Sequence, residues 1–307
     1  MIVVTGATGN IGSKTAANLL AKGKQVKVIG RNDEKLESLR KLGAVIEKGD
    51  LHDAVFLGKA FQGAEAVFLI MPTNLQSENI SKYQDEVGEA QITAIKNSGV
   101  KNVVFISSQG AQDIEKTGIV AGLGRQELRL NQLPEDVNVI SLRASYFMEN
   151  LFNQIGVIKG MGIIGTPVKS DLKMGMIATQ DIAEYAANKL ATLHFNGKSF
   201  VDLLGDRNYN HNEIAFIVGK AINKPDLSYV EFPYEENKKA LLQYGISESV
   251  ADAFNGMYKG INEGLFSVST RTQESTTATS LENFAENIFR SDFTGVPIIP
   301  IPFITPI

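Results

Sequence analysis

Thr5-Gly6-Ala7-Thr8-Gly9-Asn10-Ile11-Gly12 follows directly on the apolar run Ile2-Val3-Val4 and opens a segment of helical spacing at residues 11–21. The order strand, glycine-rich turn, helix decides the fold, because each glycine has its own task in it. Gly6 permits the tight turn out of the strand. Gly9 lets a pyrophosphate come against the backbone, where a side chain would block it. Gly12 lets the helix pack closely on the strand. The free N–H groups and positive dipole end of such a helix attract phosphate. A glycine string alone is a weak signal, and the strand before it with the helix after it gives it weight.

Working outward, short β-branched or apolar runs recur at residues 2–4, 25–29, 44–47, 66–71, 102–107 and 137–142. Helical spacing lies between them. Leu36, Leu39 and Leu42 recur at three-residue intervals, and Val87, Ala90, Ala94 and Ile95 share one face. Gly23, Gly43, Gly63 and Gly99 each follow a periodic segment, as a helix C-terminus requires. This alternation with unbroken apolar strands predicts a parallel sheet covered on both faces. Six strands within residues 2–142 match a doubly wound nucleotide-binding domain.

The second half is less regular. Residues 148–171 carry Gly156, Gly160, Gly162 and Gly165 and read as loops with a short helix. An amphipathic helix is predicted at 179–193, with Ile182, Tyr185, Ala186, Leu190 and Leu193 inward. Strands are predicted at 199–204 and 227–232, and helices at 211–222, 235–244, 249–264 and 280–289. Gly256, Gly260 and Gly264 predict close helix-on-helix packing. The tail at 296–307 holds Pro297, Pro300, Pro302 and Pro306, which excludes helix. Its apolar strip makes it a candidate contact with a second copy of the chain. The expected organisation is α/β, with a nucleotide-binding domain at 1–150 and a smaller substrate or partner domain at 151–307. The smaller domain is expected to return to the larger core at about 178–205 and 280–290.

Composition narrows the chemistry. Among 307 residues there is no cysteine, so disulfides, thiolate ligands and thiol redox switches are excluded. Three histidines, His52, His194 and His211, lie far apart and do not suggest a zinc site. Lys plus Arg number 30 against 34 Asp plus Glu, a net charge of −4, the wrong balance for a phosphate-backbone binder. No apolar run approaches the roughly 18 residues of a membrane span. No charged start with an apolar stretch precedes the glycine loop, so the expected compartment is the cytoplasm.

Nineteen residues past Gly12 stands Arg31, in Ile29-Gly30-Arg31-Asn32-Asp33. An acidic residue near that position would bind a ribose 2′-hydroxyl, whereas an arginine accepts a 2′-phosphate. The guanidinium offers a planar fork for phosphate, and Lys35 adds charge one turn later. Asp33 competes, but sits past the strand tip and reads as a helix cap. The expected cofactor is NADP, with NAD the alternative.

The chain also resembles a known family. TGATGNIG at 5–12, VIGRNDEKL at 28–36, VFLIMPTN at 67–74 and VKNVVFISSQGA at 100–111 are similar to the NmrA-like branch of the short-chain dehydrogenases/reductases. So are LRASYFMENLF at 142–152, TQDIAEYAANKLA at 179–191 and RTQESTTATSLENFAENIF at 271–289. The resemblance implies a Rossmann doubly wound parallel sheet with a smaller α/β C-terminal substrate domain. It implies that Gly6, Thr8, Gly9, Asn10, Ile11 and Gly12 hold the pyrophosphate. Arg31, Asn32 and Lys35 would surround the adenosine ribose and its phosphate, and Asp50 and Leu51 would flank adenine. Met71, Pro72 and Thr73 would line the nicotinamide-side ribose. Tyr146, Phe147 and Asn150 would sit by the nicotinamide and the substrate pocket.

No catalytic residue is assigned. The wider family reduces carbonyls with a Tyr-x-x-x-Lys pair between the fifth and sixth strands, where lysine lowers the tyrosine pKa. Here no tyrosine lies between Tyr83 and Tyr146. Tyr185 with Lys189 and Tyr234 with Lys238 have the spacing but fall after the sixth strand. Many NmrA-like proteins place a lysine early in the helix before the sixth strand. This chain has Arg125 in that region, and its only lysine between residues 109 and 136 is Lys116. Ser107, Ser108 and Gln109 follow the fifth strand, facing either a ligand or their own loop backbone. Two functions remain. One is hydride transfer from NADPH to a small quinone-like or enone acceptor, which needs little acid catalysis. The other is a non-catalytic NADP(H)-binding redox sensor that docks to a partner protein. A sugar-nucleotide epimerase or dehydratase needs the Tyr–Lys pair and is disfavoured.

Overall fold

Seven parallel strands form the central sheet of the computed structural model, which describes residues 1–267 and 270–295. In chain order the first half runs β1 (Ile2–Val4), α1 (Asn10–Ala21), β2 (Val26–Gly30), α2 (Glu37–Lys41), β3 (Val45–Lys48), α3 (Ala54–Phe61), β4 (Ala66–Leu69), α4 (Ile80–Ser98), β5 (Asn102–Ser108), α5 (Ala121–Asn131) and β6 (Asn138–Ala144). There follow β7 (Tyr146–Phe147), α6 (Ile155–Met161), β8 (Ile163–Thr166), β9 (Met174–Ile177), α7 (Thr179–Thr192), β10 (Lys198–Leu203), β11 (Asn208–Tyr209), α8 (His211–Ala221) and β12 (Ser228–Glu231). The last elements are α9 (Tyr234–Gln243), α10 (Glu248–Asn262), α11 (Leu281–Phe284), one π-helical turn (Ala285–Phe289) and α12 (Arg290–Gly295).

The large sheet has the order β10-β6-β5-β4-β1-β2-β3, and every pairing in it is parallel. Its order reverses between β1 and β4, the switch point where doubly wound sheets bind ligands. Alternation along the strands splits the core in two. Val3, Val67, Leu69, Val103 and Phe105 face α3, α4 and α5. Val4, Val28, Phe68, Val104 and Ile106 face α1 and α7. Each such aliphatic side chain, buried fully, contributes about 1.5–3 kcal/mol before entropy is counted. Gly23, Gly43, Gly63 and Gly99 all have positive φ, which is why these helices stop at glycine.

Two small sheets, β11-β9-β7 and β12-β8, stand beside the large one. Their core gathers Met148, Ile158, Ile164, Tyr209, Ile214 and Phe289. The segment Leu281–Phe289 packs into this second core, so the expected return to the large sheet at about 280–290 does not occur there. The phenylalanines of that segment meet Phe152 and lie in the core of the small sheets, apart from the strands of the large one. By contrast α7 lies on α1, and β10 pairs with β6.

Three further expectations change. Leu42 is exposed, because α2 ends at Lys41. Gly256 and Gly260 do not receive another α-helix. They admit the 3-10 turn Gly118–Val120 and the loop before it, with a Cβ at Gly256 only 3.0 Å from the Gly118 Cα. Tyr185 is half-buried, and its hydroxyl donates to Glu274 at 2.6 Å. The tail at 296–307 lies outside the described residues.

His211 opens α8 and is 4% exposed, with its ring tilted on Tyr229 at 4.6 Å between centroids. Its Nδ1 has no hydrogen-bond partner. Burial pushes its pKa down from 6.5 to about 4. The unfolded chain therefore binds this proton more readily than the native one. Stability from this group is complete above about pH 6.5 and is lost as pH falls towards 4, by roughly 3 kcal/mol in all. The thermal midpoint should drop between pH 7 and pH 4.5, and His211→Met should show a shallower drop. Parallel pH curves for the two proteins would contradict this.

Candidate functional site

The glycine loop separates the glycines the fold needs from the one it does not. Gly6 has φ +63°, and a Cβ there would stand 2.0 Å from the Ile70 side chain. A Cβ at Gly12 would stand 2.4 Å from the Gly6 carbonyl oxygen, so α1 lies directly on the turn. Gly9 differs. Its φ of −96° suits any residue, and a Cβ would touch only the Gly6 oxygen at 3.4 Å. The fold does not require glycine there, but a ligand lying against the backbone does. No side chain caps α1, and its first turn carries no acidic residue, so its leading N–H groups are open to an anion. Thr8, Gly9 and Asn10 are exposed. Ile11 is buried in the core and offers only its backbone.

At the end of β2, Arg31, Asn32 and Lys35 are exposed. The Asn32 side chain accepts from the Lys35 N–H at 3.2 Å, which starts the turn. Asp33 makes no cap bond, contrary to expectation. Arg40 pairs with its carboxylate at 2.6 Å instead. No ion pair holds Arg31 among the described residues.

Asp50 and Leu51 follow β3. Burial opposes ionisation of the Asp50 carboxyl, but hydrogen bonds from the His52 backbone and ring, with the charges of His52 and Arg31, hold it below the usual range. The His52 ring meets Tyr83 edge-on at 4.6 Å. Both were missed by sequence reasoning. The pairing of His52 with Asp50, two residues apart, was the available signal.

The remaining expected residues divide. Met71 is 2% exposed and lies in the core beneath α4, so its side chain is not open to a ligand. Pro72 and Thr73 are half-buried, and Thr73 reaches a cavity of about 360 Å³. Tyr146, Phe147 and Asn150 line the same cavity. Its walls are largely apolar, with Leu123, Val157, Phe232, Leu241, Phe254 and Ile261 among them. Glu236, exposed, is the one charged side chain of the wall among the described residues.

Sequence reasoning did not single out Tyr258. Phe254, Met257, Tyr258 and Ile261 follow the spacing i, i+3, i+4, i+7 along α10 and all face the cavity. That spacing was the readable signal. Burial raises the Tyr146 phenol well above its ordinary pKa, and the neighbouring phenols of Tyr258 and Tyr229 add to this. An Asn150 hydrogen bond acts in the opposite direction. Burial pushes Tyr258 up to about 12, partly offset by the neighbouring Tyr146 hydroxyl. Three buried polar atoms in the wall have no partner: Ser145 Oγ, Asn150 Oδ1 and Asn153 Oδ1. Unpaired buried polar atoms are rare, and a ligand's polar groups would satisfy them.

The other catalytic candidates lie elsewhere. Tyr185 and Lys189 both bond Glu274, away from the cavity. The Tyr234 hydroxyl accepts from Asn262 at 2.7 Å, and Lys238 pairs with Glu248 and Asp252. Arg125 pairs with Asp85 at 2.8 Å and Ser81 at 2.7 Å, so its charge stays on the outer face. Ser107 donates to Glu127 at 2.5 Å, within an ion pair to Arg143. Ser108 lines the cavity, but its hydroxyl donates to the Gln109 carbonyl.

The model of the NmrA-like family matches residues 1–286. An NAD(P)H azoreductase of Xenophilus azovorans is 28% identical, over 84% of this chain and 86% of that protein. Quinone oxidoreductase 2 of Escherichia coli strain K12 is 26% identical, over 87% of this chain and 90% of that protein. The solved structure of an NADPH-dependent quinone oxidoreductase from Escherichia coli superposes with a TM-score of 0.77 at 22% identity. It covers 94% of this chain and 100% of that one, and this likeness shows the fold.

Gly9→Ala tests the reading of the loop. The thermal midpoint should stay where it is, while affinity for a nicotinamide dinucleotide falls about tenfold or more, some 1.4 kcal/mol. Unchanged binding by calorimetry would contradict a ligand at this backbone.

Proposed function

The chain belongs to the NmrA-like family, and on that footing we propose that it binds NADPH and passes hydride to a small quinone-like or enone acceptor. The cavity carries this reading. It is apolar, has no cation in its wall among the described residues, and presents neutral hydroxyl and amide groups at the end where Tyr146 and Asn150 stand. A flat, uncharged, conjugated acceptor suits such walls. The names of the relatives, an azoreductase and a quinone oxidoreductase, support it.

On this reading the first-turn amides of α1, with Thr8, Gly9 and Asn10, hold the pyrophosphate. Ile11 and Gly12 set the position of that turn through their packing. Arg31 and Lys35 take the 2′-phosphate, and Asn32 shapes the turn that carries Lys35. Asp50 and Leu51, joined by His52 and Tyr83, wall the adenine. Pro72, Thr73 and the Met71 backbone border the nicotinamide-side ribose. Tyr146, Phe147 and Asn150 stand where the groove meets the cavity. Bound there, the cofactor supplies hydride. The protein's share is to hold the acceptor flat, exclude water and keep neutral donors beside its oxygen.

Two measurements test this. NADPH should bind more tightly than NADH, and Arg31→Asp should erase the difference by weakening NADPH selectively. Equal affinities in the unaltered protein would overturn the 2′-phosphate assignment. Loss of NADPH absorbance should then follow addition of simple quinones and enones. Binding without turnover across the panel would overturn the enzyme reading in favour of the sensor.

A further inference from the structure

We propose that the cavity selects acceptors carrying a positive charge at the end remote from the reacting ring, with the Glu236 carboxylate and the Tyr244 ring as the rim that recognises it. The inference rests on the reading of the cavity as the acceptor site and names the substrate class that its open end fits.

The burial of the lining residues shows where the cavity opens. Its inner end lies where β5 and β6 stop, at Ser108, Ala144 and Ser145, all of them buried. Four residues of its wall are exposed among the described residues. They are Gly156 and Met161 of α6, with Glu236 of α9 and Tyr244, which caps the C-terminal end of α9. The mouth therefore lies between α6 and α9. An acceptor whose reacting ring sits at the strand ends would extend a long substituent out between these two helices.

The rim combines one free negative charge with apolar surface. Glu236, Ala240 and Tyr244 follow i, i+4, i+8 and form one row along α9, about 12 Å from end to end. Leu241, on the next row, is buried against the cavity. Ala240 adds no bulk between the carboxylate and the ring. Glu236 forms no ion pair and accepts no hydrogen bond among the described residues, so its charge is open to a ligand. The neighbouring cations do not neutralise it. Lys238 pairs with Glu248 at 2.9 Å and Asp252 at 2.7 Å. Lys239, three positions along the helix, makes no ion pair with it. Lys159, the one charged side chain of α6, lies over the Phe293 ring at 5.1 Å. Tyr244 is 46% exposed, and an aromatic face attracts a cation as well as apolar groups. Met161, 65% exposed, gives the opposite side a soft apolar surface. An organic cation suits this set. Its methylene or aryl part lies on Met161 and Tyr244, and its charge meets Glu236. A sulfonate or carboxylate in the same place would meet only like charge.

The test uses three naphthoquinones that differ only in a side arm: a plain alkyl arm, the same arm ending in trimethylammonium, and the same arm ending in sulfonate. With the unaltered protein, kcat/KM for the cationic arm should exceed that for the anionic arm about tenfold, the scale of an exposed ion pair supported by an aromatic ring. The difference should lie in KM, because a charge held away from the reacting ring is bound alike in ground and transition states. Glu236→Gln should bring the two arms within about threefold of each other, and Glu236→Lys should reverse their order. Tyr244→Leu keeps apolar bulk and should weaken the preference without reversing it. Salt at about 0.5 M should shrink the preference in the unaltered protein. A structural role for Glu236 would shift all three quinones together and reverse nothing. Equal kcat/KM for the two charged arms in the unaltered protein, or an order that Glu236→Lys does not reverse, would overturn this assignment alone. No quinone reduced by the unaltered protein would overturn the reading of the cavity, and the assignment with it.

Discussion

A buried carboxylate joins the two halves of the molecule. Glu149 is 4% exposed, and both its oxygens accept from the Thr179 N–H at 3.0 Å while the Thr179 hydroxyl also donates to it. Lys14, on α1, lies 3.5 Å away and donates to the Thr179 oxygen at 2.7 Å. The carboxylate thus sits at the positive end of α7 and beside a cation, which offsets its removal from water. Leaving such a group unpaired costs about 3–5 kcal/mol. The turn that carries Tyr146 and Asn150 is thereby tied to α7 and to the helix that starts at the glycine loop.

Close packing does the rest. Gly12 lies against the Gly6 carbonyl, and Gly256 and Gly260 bring α10 onto the 3-10 turn beneath it. That second approach sets Phe254, Met257, Tyr258 and Ile261 against the cavity, opposite the residues that leave β6. On the proposed reading, the acceptor is held between a wall fixed to the nucleotide loop and a wall fixed to α10.

The large sheet was legible because its information is local. Apolar runs, helical spacing and terminal glycines each occupy a few neighbouring residues, and their alternation implies a parallel sheet covered on both faces. The tight turn at Gly6 and the close packing at Gly12 were legible for the same reason. Tyr258 was not, since the cavity it shares with Tyr146 is closed by elements far apart in the chain, and its spacing on α10 is that of ordinary core packing. Asp33 reads locally as a cap, yet Arg40, one element later, takes it. Met71 shows the converse. It stands at a strand end as a groove residue would, but the core beneath α4 claims its side chain. The segment at 280–290 was placed by its apolar periodicity, which says that it packs and not what it packs on.

The chemistry that follows differs from carbonyl reduction by a lysine-lowered tyrosine. Here the phenols beside the cavity are buried and raised, so they stay neutral throughout the neutral range. The central claim is that the nicotinamide end of the groove opens on the acceptor cavity, so that hydride passes directly between the two ligands in one fixed orientation. Single-turnover mixing of the NADPH-loaded protein with a naphthoquinone, using cofactor carrying deuterium on one or the other face of its nicotinamide C4, tests this most directly. The account predicts that the label slows the loss of absorbance from one face and not from the other. Equal decay with both labels, or no decay at all, would contradict it.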